Sequence, residues 1–312
     1  MLPGVEPRVL EFVVAVAEEL HFTHAAEKLH VSQPSLSRQI RDLESALGTK
    51  LFERTKQFVR LTPAGVSFVR EAKEALLHIE RAVNLAKAAS QPECFSLGYS
   101  PYVSRRLVAS VRSLFAERFA SIHLVLSPAH VDEQVELVRR GELDGGLTML
   151  PVVADSLAVQ SLALEPLVAV LPENHRLGRA KAIRLHSFKQ MTMVVVTRKL
   201  CPQFHERIHE AFVREGFQPL IGEEVMAPAD AIALIASGER FSFVHECDVL
   251  EFHCPGVVFR PIERQPLTLE SGIVYRPDGA SPIIHALIAA LQQRHPVGSE
   301  NGTPLRAGQA VG

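Results

Sequence analysis

Phe22-Thr23-His24-Ala25-Ala26-Glu27-Lys28-Leu29-His30-Val31-Ser32-Gln33-Pro34-Ser35-Leu36-Ser37-Arg38-Gln39-Ile40 reads as a short helix, a tight turn and a second helix. Thr23 is a suitable N-cap for the first helix, in which Ala25, Ala26 and Leu29 face inward. Ser32 is a suitable N-cap for the second, and Pro34 is tolerated there because first-turn amides have no intrahelical acceptor. Leu36, Ile40, Leu43 and Leu47 recur at helical spacing and form an inward stripe. Gln33, Pro34, Ser35, Ser37, Arg38 and Arg41 are left on the outer face or near the helix start. In a helix-turn-helix, these positions meet base edges and phosphates. The stretch predicts a DNA-reading helix.

The flanking sequence completes a small module. A helix from about Pro7 to Leu20 presents Val9, Phe12, Val13, Val16, Ala17 and Leu20 inward, and Gly48 stops the reading helix. Leu51-Phe52-Glu53-Arg54 and Val59-Arg60-Leu61 read as two short strands of a wing, with Arg54, Lys56 and Arg60 placed for backbone phosphates. The whole chain carries a formal charge of −2, yet Lys28 to Thr62 holds seven cations against three anions. That local excess suits salt-sensitive, specific binding to double-stranded DNA. Thr62-Pro63 then opens a helix running to about Ser90, roughly 42 Å long at 1.5 Å per residue. Val69, Leu76 and Val83 form one row of period seven, and Ala72, Ile79 and Ala86 the other. Two such rows make a coiled-coil seam, which predicts a dimer.

From residue 94 strand and helix patterns alternate. Strands are expected at Cys94–Ser100, His123–Ser127, Asp144–Thr148, Leu157–Leu164, Leu167–Leu171, Met193–Thr197, Ile221–Val225, Phe241–His245, Val257–Pro261 and Leu267–Tyr275. Helices are expected at Arg105–Phe119, Val131–Arg140, Cys201–Glu215, Ala229–Ser237 and Pro282–Arg294. This pattern predicts an α/β fold with two mainly parallel sheets and a cleft between them. The domains are therefore 1–62 (winged helix-turn-helix), 63–91 (dimerisation helix), 92–295 (two α/β subdomains) and 296–312, a Gly-rich tail expected to be disordered. No apolar run reaches membrane-spanning length, and no basic-then-apolar leader opens the chain. Four scattered cysteines suit a reducing compartment, so a cytoplasmic protein is expected.

The chain resembles LysR-type transcriptional regulators from residue 5 to about 295. The specific segments are Phe12-Val13 with Ala15-Val16-Ala17-Glu18, Ser32 through Ile40, Leu47-Gly48, Leu51-Phe52-Glu53-Arg54 and Leu61-Thr62-Pro63-Ala64-Gly65. Arg139-Arg140-Gly141-Glu142-Leu143-Asp144 and Glu165-Pro166-Leu167-Val168-Ala169-Val170-Leu171-Pro172 extend the match into the second half. The resemblance implies a periplasmic-binding-protein-like effector domain and homotetramers built as pairs of dimers that bend DNA. It also implies control by a small molecule such as a carboxylate, and RNA polymerase as a further partner. By position it places Gln33, Pro34, Ser35, Ser37 and Arg38 in the major groove. It places the effector near Ser100, Tyr102, Ser104, Thr148, Thr197, Arg198 and Phe241. Tyr102 departs from the small residue frequent there, Thr197 from a common Pro, and Arg240 from a second glycine. The bulk of Tyr102 is expected to shrink the pocket or supply a phenol donor.

His205-Glu206-Arg207-Ile208-His209 matches the H-E-x-x-H pattern of zinc proteases. The pattern is short, and Phe204, Ile208, Ala211 and Phe212 already claim that helix for the core, so no enzyme, metal or cofactor is expected. Peroxide-sensing relatives use two cysteines in this region, whereas Cys201 is followed by none until Cys247. Cys247 and Cys254, beside His245 and His253, are too far apart for a metal knuckle.

Overall fold

The computed structural model describes residues 5–55, 58–88, 94–251, 254–263, 267–278 and 281–295. Lys56, His253, the expected Gln91-Pro92 boundary and the tail 296–312 lie outside the described residues. Contacts divide the chain into two compact units, Met1–Ser90 and Gln91–Gly312.

The first unit contains α1 (Pro7–Glu19), α2 (Phe22–Lys28), α3 (Gln33–Leu47), β1 (Phe52–Arg54), β2 (Val59–Leu61) and α4 (Pro63–Ala88). Phe12, Val13, Val16, Ala25, Ala26, Leu36, Ile40, Leu43, Leu51 and Phe52 are buried together. Two caps differ from expectation. The His21 ring accepts from the His24 amide at 3.4 Å, so His21 caps α2 and Thr23 lies inside its first turn. Leu20 takes a left-handed φ of 46° and is 48% exposed, which ends α1 one residue early and removes Leu20 from the inner stripe. Ser32 caps α3 by accepting from the Ser35 amide, and Gly48 closes that helix at φ 68°.

β1 and β2 form an antiparallel wing with Phe52 opposite Leu61. The Thr62 hydroxyl accepts from the Gly65 amide at 2.9 Å and donates to the Lys50 carbonyl at 2.7 Å, tying the start of α4 to the wing. A Cβ at Gly65 would lie 2.0 Å from the Leu51 carbonyl oxygen, so only glycine allows this approach. The expected seam along α4 divides in two. Val69 and Ala72 are buried within their own unit, and Lys73 of α4 pairs with Glu18 of α1 at 2.8 Å. Ile79 and Val83 are 43% and 48% exposed, and Ala86 is also exposed. Val69 and Ala72 are thus core residues first, because α4 packs on α1 over its N-terminal half.

The second unit begins with β3 (Cys94–Tyr99), α5 (Arg105–Arg118), β4 (His123–Pro128), α6 (Val131–Arg140), β5 (Gly145–Met149) and β6 (Ala158–Pro172). It continues through β7 (Thr192–Val196), α7 (Pro202–Arg214), β8 (Leu220–Val225), α8 (Pro228–Ala236), β9 (Arg240–His245), β10 (Val257–Pro261), β11 (Thr268–Tyr275) and α9 (Pro282–Arg294). Short 3-10 turns at Arg176–Arg179, Leu185–Phe188 and Glu246–Glu251 had no counterpart in the sequence reading.

The two expected strands on either side of Glu165-Pro166 are one fifteen-residue strand, β6. Up to Pro166 it pairs with β11, and from Leu167 it pairs with β9. Proline has no amide hydrogen, and Pro166 falls where the ladder changes partner, so the strand runs through without a break. The two expected sheets are therefore one continuous order, β4-β3-β5-β11-β6-β9-β7-β8, with β10 on β6. Pairing is mixed. β3–β4, β3–β5, β7–β8 and β7–β9 are parallel, while the pairs made by β6 and β11 are antiparallel. This is an α/β fold of two half-sheets sharing β6. Among the described residues, no helix is long and apolar enough to cross a membrane.

Candidate functional site

The outer face of α3 is open. Gln33, Pro34, Ser35, Arg38 and Arg41 are exposed, while Leu36, Ile40 and Leu43 on the opposite face are buried. Arg38 has an 80% exposed side chain whose nearest anion, Asp42, is 3.9 Å away. An exposed pair of that kind contributes little and leaves the guanidinium free to move. The Arg41 Nε donates to the Ser37 carbonyl at 3.2 Å, and Arg60 lies over the Phe58 ring at 4.6 Å in the wing.

Arg54 is placed differently from the expected phosphate contact. Its guanidinium donates to the Ser37 hydroxyl at 3.1 Å and to Glu44 at 3.2 Å, and lies 4.9 Å over the Phe22 ring. Ser37 is half-buried beneath it. Both side chains join the reading helix to the wing. The centre of that joint is Glu44, one of the three anions counted between Lys28 and Thr62. Its carboxylate is closed to solvent and accepts from the Leu51 and Phe52 amides at 2.9 and 3.1 Å and from Lys50 at 3.0 Å. Burial would push its carboxyl up, but Lys50 and the two amides together hold it below the ordinary glutamate value of 4.5. The available signal was position: Glu44 sits beside Leu43 on the packed side of α3.

In the second unit a cavity of about 270 Å³ lies between the two half-sheets. Tyr102 and Val103 form one wall, Val196, Phe204 and Phe243 another, with Met226 at the start of α8 and His245 and Asp248 at the end of β9 and beyond. Two helices begin at this cavity without side-chain caps, α7 at Cys201 and α8 at Ala227. Helix N-termini favour an anionic group, and at α7 the Phe204 amide already faces the Cys201 sulfur. The N-terminus of α5 is already occupied, because Asp248 accepts from the Arg105 amide at 3.1 Å. Burial pushes the Asp248 carboxyl up, against the pull of His245.

Of the residues expected at the effector, Tyr102 lines this cavity and the others do not. The Ser100 hydroxyl accepts from the Tyr102 amide at 3.3 Å. Ser104 caps α5 and donates to buried Glu165 at 2.6 Å. Thr148 is interior to β5, and the Thr197 backbone forms the turn into α7. Arg198 is exposed and pairs with Glu206 at 3.6 Å. Phe241 is a core residue and not a cleft wall: it is fully buried, stacked on Phe188 at 4.3 Å and in contact with Phe212 and Phe243. Ligands gather at the carboxyl ends of strands, and on β9 that end is His245, whereas Phe241 stands near its start. The same rule applied to β9 would have found His245 and Asp248.

The Nε2 of His205 engages the Val196 carbonyl, and among the described residues no three metal-ligating side chains gather. Cys201 is buried, and that burial pushes its thiol up to about 11. Thiolate, the reactive form, is then scarce near neutrality. Exposed Cys94 is expected to react quickly with a disulfide reagent at about pH 8, and Cys201 only after denaturation. Mass mapping of labelled peptides reads this directly, and rapid native labelling of Cys201 would contradict it.

An exposed polar and cationic helix in one unit and a cavity between two half-sheets in the other are the features of a DNA-binding regulator with a ligand-binding domain. The family model described as "LysR substrate binding domain" matches residues 92–296, and that described as "Bacterial regulatory helix-turn-helix protein, lysR family" matches residues 7–66. The chain belongs to the LysR family of transcriptional regulators. It is 32% identical to the Hca operon transcriptional activator HcaR of Escherichia coli over 290 residues, 93% of this chain and 98% of that one. It is 29% identical to the regulator AlsR of Bacillus subtilis over 302 residues, 96% of this chain and 100% of that one. Among solved structures, full-length BenM gives a TM-score of 0.59 at 26% identity, covering 93% of this chain and 96% of that chain. CbnR complexed with its target DNA gives 0.57 at 25%, covering 93% and 99%. The protein is thus a DNA-binding transcriptional regulator with a ligand-binding effector domain, and not an enzyme.

Proposed function

We propose that α3 reads a partly palindromic operator from the major groove through Gln33, Pro34, Ser35 and Arg38, with Arg41, Lys56 and Arg60 on phosphates. The observation that carries this reading is the exposure of Gln33, Ser35, Arg38 and Arg41 on α3 opposite the buried Leu36-Ile40-Leu43 stripe. Arg54 and Ser37 act one step back, holding the wing against the helix. The Arg38 fork suits either guanine or a phosphate. Arg38→Ala should lower operator affinity by about ten- to a hundredfold, as a lost bidentate contact does. Fluorescence anisotropy on a labelled operator measures this, and unchanged binding by a folded variant would remove α3 as the reading element.

In this reading residues 1–62 bind DNA, 63–91 pair two chains and 92–295 sense the effector. Leu76, Ile79, Val83 and Ala86 make the contact between copies, supported by the exposure of Ile79 and Val83 in the single chain. A homotetramer built from two such dimers occupies adjacent sites in the cytoplasm, bends the DNA and presents a surface to RNA polymerase. Ile79→Asp and Val83→Asp together should shift the mass in solution toward the monomer or to a lower assembly, read by light scattering. An unchanged mass would contradict the seam.

The effector is a compact, largely apolar carboxylate. Apolar walls and the two helix starts at Cys201 and Ala227 support that chemistry. Its differential affinity for open and closed half-sheets would shift the DNA-bound shape.

A further inference from the structure

We propose that Tyr102 is the specificity-determining residue of the cleft, setting an upper size limit on the effector; this rests on the cavity being the effector site. Tyr102 follows β3 in one half of the unit, and its hydroxyl donates to the Met226 carbonyl at 3.0 Å, at the start of α8 in the other half. Its backbone is fixed from both sides. The amide donates to the Ser100 hydroxyl at 3.3 Å, and the carbonyl meets His245 Nε2 at 3.1 Å. The ring is therefore held at its root by two bonds and at its tip by a third. It is 8% exposed and lies near-parallel to the His130 ring at 6.4 Å.

Burial also pushes the phenol above its ordinary value of 10.0, so the hydroxyl stays protonated and the donor role is kept. A ring pinned in this way cannot swing aside to admit a larger ligand without breaking the bond to Met226. What remains beneath it is the cavity of about 270 Å³. That space lies just below the range of about 300–1,000 Å³ usual for drug-sized ligands, so it suits a compact one. Met226, 66% exposed at the mouth, is the side of the latch that meets solvent. The cavity wall formed by Tyr102 is thus an aromatic ring anchored beside the start of α8, and the size limit follows from it.

The test uses the full chain and two carboxylate probes, cyclohexanecarboxylate with about nine non-hydrogen atoms and biphenyl-4-carboxylate with about fifteen. Binding is measured by calorimetry on wild type, Tyr102→Ser and Tyr102→Phe. Wild type is expected to prefer the compact probe by about tenfold or more, a usual scale for pocket size discrimination. Tyr102→Ser is expected to abolish or reverse that preference. Tyr102→Phe keeps the ring but loses the latch, and is expected to fall between the two, which keeps the test decisive if the serine variant does not fold. Equal preference in all folded variants, or a wild type that takes the bulky probe as well as the compact one, would overturn the size limit while leaving the cleft as an effector site. If no variant binds either probe, the carboxylate reading of the cleft fails and the proposal falls with it.

Discussion

Glu44→Ala is expected to destabilise the N-terminal unit by about 3–5 kcal/mol, the scale for removing one partner of a buried charged network. The substitution leaves the Leu51 and Phe52 amides without their acceptor and deprives Arg54 and Lys50 of their anion. The wing then loses its tie to α3, and operator binding is lost with it even though Glu44 touches no DNA. Glu44→Gln should fall between, because its carbonyl can still accept the two amides while its NH2 faces Lys50 and Arg54. Thermal melting and operator binding, measured together, separate the two variants. A Glu44→Ala chain that melts as wild type would show that the wing is held by other contacts. The pH dependence has a definite sign. A carboxyl held below 4.5 in the fold contributes stability that is present above that value and lost as pH falls through the lower, folded value. Glu44→Gln should therefore flatten the acid limb of the stability curve of this unit.

Phe241→Ala is expected to cost about 3–5 kcal/mol in the second unit, as large-to-small changes in packed aromatic cores do. Phe241 is fully buried against Phe188, Phe212 and Phe243, with ring centroids 4.3 to 6.2 Å apart. Removing it opens a void behind the cleft and not within it. The outcome is read by denaturant unfolding of the full chain and by binding of a compact carboxylate to the fraction that stays folded. Normal stability with altered ligand preference would return Phe241 to the cleft wall and contradict the core assignment.

These two residues also show what the sequence reveals and what it hides. Elements with strong local signals were readable: Val131–Arg140 and Pro282–Arg294 have the same limits in sequence and structure. The reading helix was legible to the level of its cap, because Ser32 and the leucine stripe are local features. Glu44 was hidden because its value lies in amides seven and eight residues away, which no helical periodicity reports. Arg54 was assigned to DNA for the same reason, since its acceptor Ser37 is on another element. In the cleft, alternation located β9, and the carboxyl-end rule points to His245 on it instead of Phe241. Tyr102 stood out by its bulk, whereas its partner, the Met226 carbonyl, is a backbone atom that carries no sequence signature. The continuous β6 was misread as two strands because Pro166 looks like a break until its change of partner strand is seen.

Under the proposed function, several copies of this chain grip DNA together through α3 and bend it. The most direct measurement is a DNase footprint of the purified full chain on the intergenic DNA upstream of its own gene, at low and moderate salt. The expected result is protection over several helical turns, broken by hypersensitive bands where the DNA bends, and its loss in Arg38→Ala. No protection at low salt, with protein shown to be folded, would contradict it.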